Sequence, residues 1–204
     1  MPLFYQHNIN QTTQLAVWHI TEDEDFFLEK VHLQKEIKHP HKKLQHLAGR
    51  YLLTILHPEF PLHLIEIAES NKPILSNGKF HFSISHCGDF AAAIISENES
   101  AGIDVELITP KIERIKNKFL SPRELNLLPD ANSKILTASW SCKEAVYKWY
   151  GKGGVDFKEN IRLVNITVSD TRGTIECAFV KSFEKKLLID FCFFDTLCLA
   201  WVVA

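Results

Sequence analysis

The stretch SKILTASWSCKEAVYKWY, residues 133–150, sets the organisation of the second half of this chain. Its apolar residues recur at helical spacing and form one stripe, which contains Ala138, Cys142, Ala145, Val146 and Trp149. Gly151 follows at once, and glycine readily takes the left-handed conformation in which many helices end. The sequence therefore predicts a helix over residues 133–150. A different face of this helix carries Trp140, Glu144, Tyr147 and Lys148.

The rest of the second half predicts two shorter helices and four strands. One helix is expected over Ile112–Phe119. Ser121-Pro122-Arg123-Glu124 begins the other, because it combines a capping serine, a proline at the first helical position and a capping-box glutamate. Strands are expected at Ile161–Ser169, Thr174–Val180, Lys186–Phe194 and Leu197–Val203. Arg172-Gly173 is predicted to form the first hairpin turn.

The first half predicts helices followed by strands. Thr21 and Glu24 fit a capping box, so a helix is expected from Thr21 to about Lys38. A second helix is expected over Lys42–Leu56, after a basic loop at residues 38–43. Asn71–Lys79 is predicted to be a loop, and Gly88-Asp89 a tight turn. The strands are expected at Leu62–Ala68, Phe80–Ser85, Phe90–Ser96 and Ala101–Leu107.

This order of elements predicts an α+β protein made of two halves, residues 1–100 and 101–204. The chain has 204 residues, of which 46% are hydrophobic, and a net charge of −2. A chain with so little positive charge is not built to coat nucleic acid. The N-terminus lacks the pattern of a signal peptide, and the apolar run at residues 187–204 is too short and too polar to span a bilayer. We therefore expect a cytoplasmic protein that binds neither nucleic acid nor membrane.

Five cysteines, an odd number without a CxxC pair, argue against both a disulfide framework and a zinc knuckle. The chemistry is instead expected from carboxylates. Asp104 and Glu106 lie two positions apart on a predicted strand, so their side chains share one face. With Glu144 they offer three carboxylates to one hard cation, Mg²⁺ or Mn²⁺, which both prefer oxygen ligands. Lys143 and Lys148 are expected to hold phosphate oxygens. This set predicts chemistry on a phosphate ester or anhydride.

Each of these features also has a simpler interpretation. Surface strands commonly alternate apolar and charged residues, and Glu144 with Lys148 can form a solvated ion pair one helical turn apart. Ser85-His86 ends a strand, and adjacent strand residues point to opposite faces. Lys72-Pro73 is a turn with one cation, and Lys152 belongs to a glycine-rich loop. The basic set around the second helix contains His39, His41, Lys42, Lys43, His46 and Arg50.

The order of the motifs is more specific than any one of them. KP (residues 72–73), FSISH (82–86), GIDVE (102–106), WSCKEAVYK (140–148) and GKG (151–153) follow one another. This series resembles that of the 4′-phosphopantetheinyl transferases, in particular the larger surfactin-synthetase-activating type. In that type two similar halves form a pseudo-twofold monomer with the active site in the cleft between them. The resemblance runs from about Lys72 to Leu163.

The resemblance implies roles for individual residues. Asp104, Glu106 and Glu144 match the carboxylates that bind Mg²⁺, and Glu144 also takes part in proton removal. Lys148 matches a lysine that contacts the phosphates of coenzyme A. The other implied contacts to coenzyme A come from Arg50, Lys72, Ser85, His86 and Lys152. The implied reaction moves 4′-phosphopantetheine from coenzyme A to a serine of an acyl or peptidyl carrier protein.

Two alternatives use the same residues differently. A Mg²⁺-dependent hydrolase of coenzyme A or of a related nucleotide pyrophosphate would use water as the nucleophile. A binding or regulatory module would keep the fold without activity, and would be expected to lack Asp104, Glu144 or Lys148. All three are present in this chain. The carrier protein and the surface that docks it cannot be read from the sequence.

Overall fold

The computed structural model describes residues 2–33, 36–128 and 130–204. The chain divides into two compact units, Met1–Ala101 and Gly102–Ala204. Each unit combines helices with β-sheet, which confirms the predicted α+β class. Across the described ranges, no helix combines the length and the apolar composition needed to cross a membrane.

The first unit is built on a four-stranded sheet. Its strands are β1 (Leu3–Asn8), β2 (Thr13–His19), β5 (His81–Cys87) and β6 (Phe90–Ser96), in the order β1-β2-β6-β5. A separate pair contains β3 (Ile65–Ile67), which follows a short 3₁₀ turn, and β4 (Pro73–Leu75). The helices are α1 (Glu24–Leu28) and α2 (Pro40–Leu56).

Helix α2 packs closely against the sheet of the first unit. Leu47, Leu52 and Leu53 are fully buried in the same apolar cluster as the small residues of β6. At Gly49 an added Cβ would lie 2.5 Å from Cγ2 of Ile84, so only glycine permits this separation between α2 and β5. This approach places the basic face of α2 beside the end of β5.

The predicted helix from Thr21 to Lys38 is wrong over most of its length. Helix α1 covers only Glu24–Leu28, and its cap is Asp23, whose carboxylate accepts from the N–H of Phe26 at 3.0 Å. Val31 and Leu33 both pack against the core, and a spacing of two residues puts both on one side only in an extended chain. The part of this prediction at Gln34 and Lys35 lies outside the described residues.

Other first-half predictions need smaller corrections. Helix α2 begins at Pro40 instead of Lys42, because proline suits the first helical turn and His39 caps it. The expected strand Leu62–Ala68 is shortened to β3, and the expected loop Asn71–Lys79 contains β4. Strands β1 and β2 precede the helices and were not predicted, so the expected order of helices before strands is wrong for this unit.

The second unit matches its predicted elements closely. Its strands are β7 (Ala101–Leu107), β8 (Ile161–Ser169), β9 (Arg172–Val180), β10 (Glu184–Phe194) and β11 (Leu197–Val203). They form one sheet in the order β7-β11-β10-β9-β8. The helices are α3 (Lys111–Phe119), α4 (Pro122–Leu127) and α5 (Ser133–Tyr150). The capping box at Ser121 and Glu124 is confirmed.

Helix α5 lies against the sheet through the apolar stripe that its sequence predicted. It ends at Gly151, whose φ of 68° confirms the left-handed stop. A Cβ at Gly102 would collide with the backbone carbonyl of Ala145, so glycine is required for β7 to lie this close to α5. This contact brings the acidic strand and the helix that carries Glu144 together.

The first hairpin turn of this sheet is not Arg172-Gly173. The turn is formed by Asp170 and Thr171, and Asp170 has a φ of 44°. Aspartate tolerates this left-handed conformation better than most residues. Gly173 instead lies within β9, where a Cβ would collide with the ring of Phe191. Its glycine is therefore explained by close packing and not by a turn.

Candidate active site

The centre of the candidate site in the second unit is an ion pair between β7 and α5. The Nζ of Lys148 lies 2.6 Å from Oδ1 of Asp104, 44 positions upstream. The side chain of Asp104 is only 4% exposed, whereas that of Lys148 is 24% exposed. Lys148 therefore neutralises a buried carboxylate, which the simpler interpretation of a solvated pair with Glu144 did not include.

The charges of this ion pair also act on the carboxyl group of Glu144. Its pKa is raised from 4.5 to about 7, mainly because burial disfavours the charged form. The negative charges of Asp104 and Glu106 raise it further, and the ammonium of Lys148 partly opposes them. The structure thus places Asp104, Glu106 and Lys148 within electrostatic range of Glu144, and the roles assigned to these four residues stay predictions.

The prediction that Lys143 holds phosphate oxygens is wrong. Its side chain is fully buried, and its Nζ lies 2.6 Å from Oε1 of Glu124 and 2.7 Å from the carbonyl oxygen of Phe157. Burial lowers the pKa of Lys143, and the carboxylate of Glu124 offsets part of that effect. Lys143 points to the core because it lies next to Cys142 on the inward side of α5.

The three acidic side chains are suited to a hard divalent cation by their chemistry, since all of their donors are carboxylate oxygens. Within the described ranges, no three His, Cys, Asp or Glu side chains converge on one point at which a metal ion could sit. Mg²⁺ does not need such a cage, because it commonly takes one or two carboxylates with water and substrate phosphates. The accumulated negative charge around Glu144 also favours a cation. Binding of Mg²⁺ by these residues stays a prediction.

A second group of site residues lies in the first unit. A guanidinium N–H of Arg50 donates to Nδ1 of His46 at 3.2 Å, and the rings of His46 and His86 are 5.6 Å apart. The pKa of His46 is lowered to about 4 by burial and by Arg50, His86 and Lys42. His46 is therefore neutral at physiological pH and accepts from Arg50. The sequence had placed it only within the general basic set.

Arg50 and His46 line a pocket of about 360 Å³ whose other walls include Leu33, Ile37 and Leu62. Burial lowers the pKa of the Arg50 guanidinium from its ordinary value. A cation that is partly withdrawn from water beside an apolar pocket is suited to an anionic group attached to a flat or apolar body.

The other predicted residues are Lys72, Ser85 and His86 in the first unit and Lys152 in the second. Lys72 lines a pocket of about 250 Å³, and burial lowers its pKa to about 8. Ser85 is buried on β5 and His86 is exposed, as alternation along a strand requires. Lys152 follows α5 and lies 6.0 Å from the centre of the Tyr150 ring.

Glu144→Gln is expected to change how stability depends on pH. Because the folded-state pKa of Glu144 is raised, the fold favours its protonated form. That contribution is fully present below about pH 4.5 and is lost as the pH rises through about 7. The stability of the variant relative to wild type should therefore increase between about pH 5 and about pH 8. Urea unfolding at both values measures this, and an unchanged difference would refute the raised pKa.

Comparison with known families bears on this group of residues. Residues 100–187 match the 4′-phosphopantetheinyl transferase superfamily. The matched segment contains Asp104, Glu106, Glu144, Lys148 and Lys152, so the resemblance to this superfamily is confirmed there. Its surfactin-synthetase-activating type stays a prediction.

Individual relatives of the superfamily are similar over comparable lengths. The 4′-phosphopantetheinyl transferase HetI of Nostoc sp. is 34% identical over 98 residues, which are 43% of this chain and 41% of that protein. Enterobactin synthase component D of Escherichia coli is 32% identical over 113 residues, 52% of this chain and 54% of that protein. The 4′-phosphopantetheinyl transferase AcpT of Escherichia coli is 32% identical over 112 residues, which are 52% of this chain and 56% of that protein. The matches thus span about half the length of these relatives.

Proposed function

We propose that this protein transfers the 4′-phosphopantetheine group of coenzyme A to a serine hydroxyl of an acyl or peptidyl carrier protein. The observation that carries the proposal is the group formed by the buried Asp104 and the partly buried Lys148 and Glu144 inside the segment that matches the superfamily. Carboxylates for a divalent cation and an ammonium for phosphate oxygens are what a reaction at a pyrophosphate needs.

The second unit supplies the groups for the chemical step. The serine oxygen forms a bond to the phosphorus that carries pantetheine, and the bond to the adenosine 3′,5′-bisphosphate leaving group breaks. We assign Glu144 to accept the serine proton, directly or through a bound water. Lys148 stabilises the charge that develops on the phosphate oxygens. Mg²⁺ bound by Asp104, Glu106 and Glu144 would supply further neutralisation of the pyrophosphate.

The first unit supplies cations for the rest of coenzyme A. We assign Arg50 and His46 to a phosphate of the nucleotide, because both line a pocket whose walls are largely apolar, although Glu36 also lines it. His86 is assigned to the same co-substrate because its ring lies 5.6 Å from that of His46. Lys72 and Ser85 are assigned to the same co-substrate through the motif resemblance, and Lys152 to the pyrophosphate. The pseudo-twofold arrangement of the halves, the monomeric state and the cytoplasmic location are proposed on the same resemblance.

Intact-mass spectrometry of an apo carrier protein after incubation with this protein, coenzyme A and Mg²⁺ tests the proposal. We expect the carrier to gain the mass of one phosphopantetheine, and EDTA to abolish the gain. Cleavage of coenzyme A without modification of any carrier would favour the hydrolase. Binding of coenzyme A without either reaction, across fatty-acid, polyketide, nonribosomal-peptide and lysine-pathway carriers, would favour an inactive module.

Lys148→Ala is expected to weaken coenzyme A binding in the presence of Mg²⁺ by roughly tenfold or more, because one charged hydrogen bond to phosphate is lost. Isothermal titration calorimetry measures the dissociation constant. Lys134→Ala is the control, since Lys134 lies in the first turn of the same helix and about 21 Å away at 1.5 Å per residue. An equal effect of both substitutions would argue against a phosphate contact by Lys148.

A further inference from the structure

The side chain of Trp140 contacts Glu106, and the motif resemblance assigns no role to Trp140. The indole N–H of Trp140 donates to Oε1 of Glu106 at 3.1 Å. Trp140 lies on α5, one helical turn before Glu144, so the two side chains share a face of the helix. The helix that carries one proposed metal ligand therefore also holds a second ligand that belongs to β7.

Open space lies beside the carboxylate of Glu106. A pocket of about 210 Å³ lies beside it and is lined by Glu106, Trp140, Thr109 and Thr137, among others. A glutamate side chain has several rotatable bonds, and fixing it costs conformational entropy. A hydrogen bond that selects one rotamer before the cation arrives removes this cost from the binding step.

The indole of Trp140 is itself fixed between two aromatic rings. Its ring centre lies 5.1 Å from that of Phe119 and 5.4 Å from that of Phe157. Phe157 also contacts Tyr147, at 5.8 Å between ring centres. These contacts restrict the position of the indole and, with it, the direction of its N–H.

The buried ion pair of Lys143 and Glu124 holds Phe157 in this arrangement. The ammonium of Lys143 donates to the carbonyl oxygen of Phe157 at 2.7 Å. The carboxylate of Glu124 also accepts from the backbone N–H of Leu163 at 2.8 Å and from the backbone N–H and the hydroxyl of Ser121 at 2.7 and 2.8 Å. One charged pair thus ties α4, α5, β8 and the segment that carries Phe157 to one another.

We propose that Trp140 is a positioning residue that holds the carboxylate of Glu106 ready for a divalent cation, within an aromatic frame fixed by Lys143 and Glu124. This inference rests on the proposed function, because it assumes that Glu106 is a metal ligand. Trp140 contacts neither the metal nor the reacting atoms in this scheme. Its loss should therefore weaken the binding of the cation and leave the rate at saturating cation nearly unchanged.

Trp140→Phe tests the proposal, because phenylalanine keeps an aromatic ring beside Phe119 and Phe157 and removes the N–H donor. The substitution also makes the side chain smaller, a change that the control substitutions share. Mn²⁺ binding to the protein without coenzyme A is measured by electron paramagnetic resonance. We expect about tenfold weaker Mn²⁺ binding, the size of effect typical for a residue that orients a metal ligand. The Mg²⁺ concentration that gives half-maximal transfer should rise by the same factor, with kcat unchanged within about twofold.

Two matched substitutions control for the loss of an indole hydrogen bond as such. Trp149→Phe removes a 2.9 Å bond from the same helix to the carbonyl oxygen of Ala204. Trp18→Phe removes a 3.0 Å bond to a carboxylate oxygen of Glu22 in the first unit. Both variants should bind Mn²⁺ like wild type. Equal Mn²⁺ affinity of Trp140→Phe and these two controls would overturn the positioning role.

The failure of this inference can be separated from the failure of the proposed function. A wild-type protein that neither binds Mn²⁺ nor modifies a carrier would overturn both. A wild-type protein that does both, with a normal Trp140→Phe variant, would overturn the positioning role alone. If Trp140→Phe does not fold, Phe157→Leu loosens the frame and keeps the N–H; weaker Mn²⁺ binding supports the role, and unchanged binding refutes it.

Discussion

Asp104→Ala is expected to reduce phosphopantetheine transfer by at least about a hundredfold while the protein stays folded, since a direct metal ligand should matter more than an orienting neighbour. The side chain of Asp104 is almost completely buried against the ammonium of Lys148. Its removal takes away the most enclosed carboxylate of the proposed cation site. The partly exposed Lys148 can then be solvated, so the fold should survive. Initial rates of carrier modification at saturating Mg²⁺, together with circular dichroism, measure both parts of this expectation.

Asp104→Asn separates the charge of this residue from its packing. Asparagine has nearly the same shape, and its amide oxygen can still accept from Lys148. If Asp104 acts through its negative charge, the asparagine variant should lose nearly as much activity as the alanine variant. A wild-type rate for either variant at saturating Mg²⁺ would refute the assignment of Asp104 to the cation.

The second unit could be predicted from sequence because its signals are local. The apolar spacing of residues 133–150 and the glycine that follows give both ends of α5, and Ser121 with Glu124 gives the start of α4. The signal at Thr21 and Glu24 is equally local, but it failed. Val31 and Leu33 pack into the core as an extended segment, and this tertiary gain outweighs the preference of the preceding residues for helix.

The members of the candidate site were predictable, but their contacts were not. Alternation along β7 places Asp104 and Glu106 on one face, which is a property of any strand. That Lys148 pairs with Asp104 depends on the close approach of β7 to α5, which Gly102 permits. The donation from Trp140 to Glu106 depends on the same approach, across 34 positions of sequence. Contacts between residues so far apart in sequence leave no periodic pattern in the chain.

Lys143 shows most clearly where the sequence is insufficient. A lysine beside Glu144 in an acidic motif looks like a phosphate ligand, and the fold instead buries it completely. Its partner Glu124 had been recognised only as a capping-box residue, 19 positions upstream. The side of α5 that faces inward was read correctly from the apolar stripe. A charged residue next to that stripe can be buried only if the fold supplies an opposite charge, and that information is not local.

Lys143→Met is accordingly expected to destabilise the protein by about 3–5 kcal/mol, the typical cost of leaving a buried charge without its partner. Methionine has nearly the length of the aliphatic part of lysine, so the loss reports the ammonium, with its ion pair and its hydrogen bond to Phe157, and not a cavity. Urea unfolding measures the free energy. The control is Lys43→Met, because Lys43 forms an ion pair with Glu24 in which both side chains are partly exposed. Such a pair contributes less than about 1 kcal/mol.

The double variant Lys143→Met with Glu124→Gln tests whether the pair acts as a unit. Glutamine removes the negative charge that Glu124 would carry without its partner. Its amide oxygen can still accept from Leu163 or Ser121, whereas its amide nitrogen cannot accept a hydrogen bond. We therefore expect the double variant to be more stable than Lys143→Met alone, but less stable than wild type. If the double variant loses as much stability as Lys143→Met and Glu124→Gln lose together, the two charges are not coupled. The frame around Phe157 would then depend on the hydrogen bonds of Lys143 and not on its ion pair.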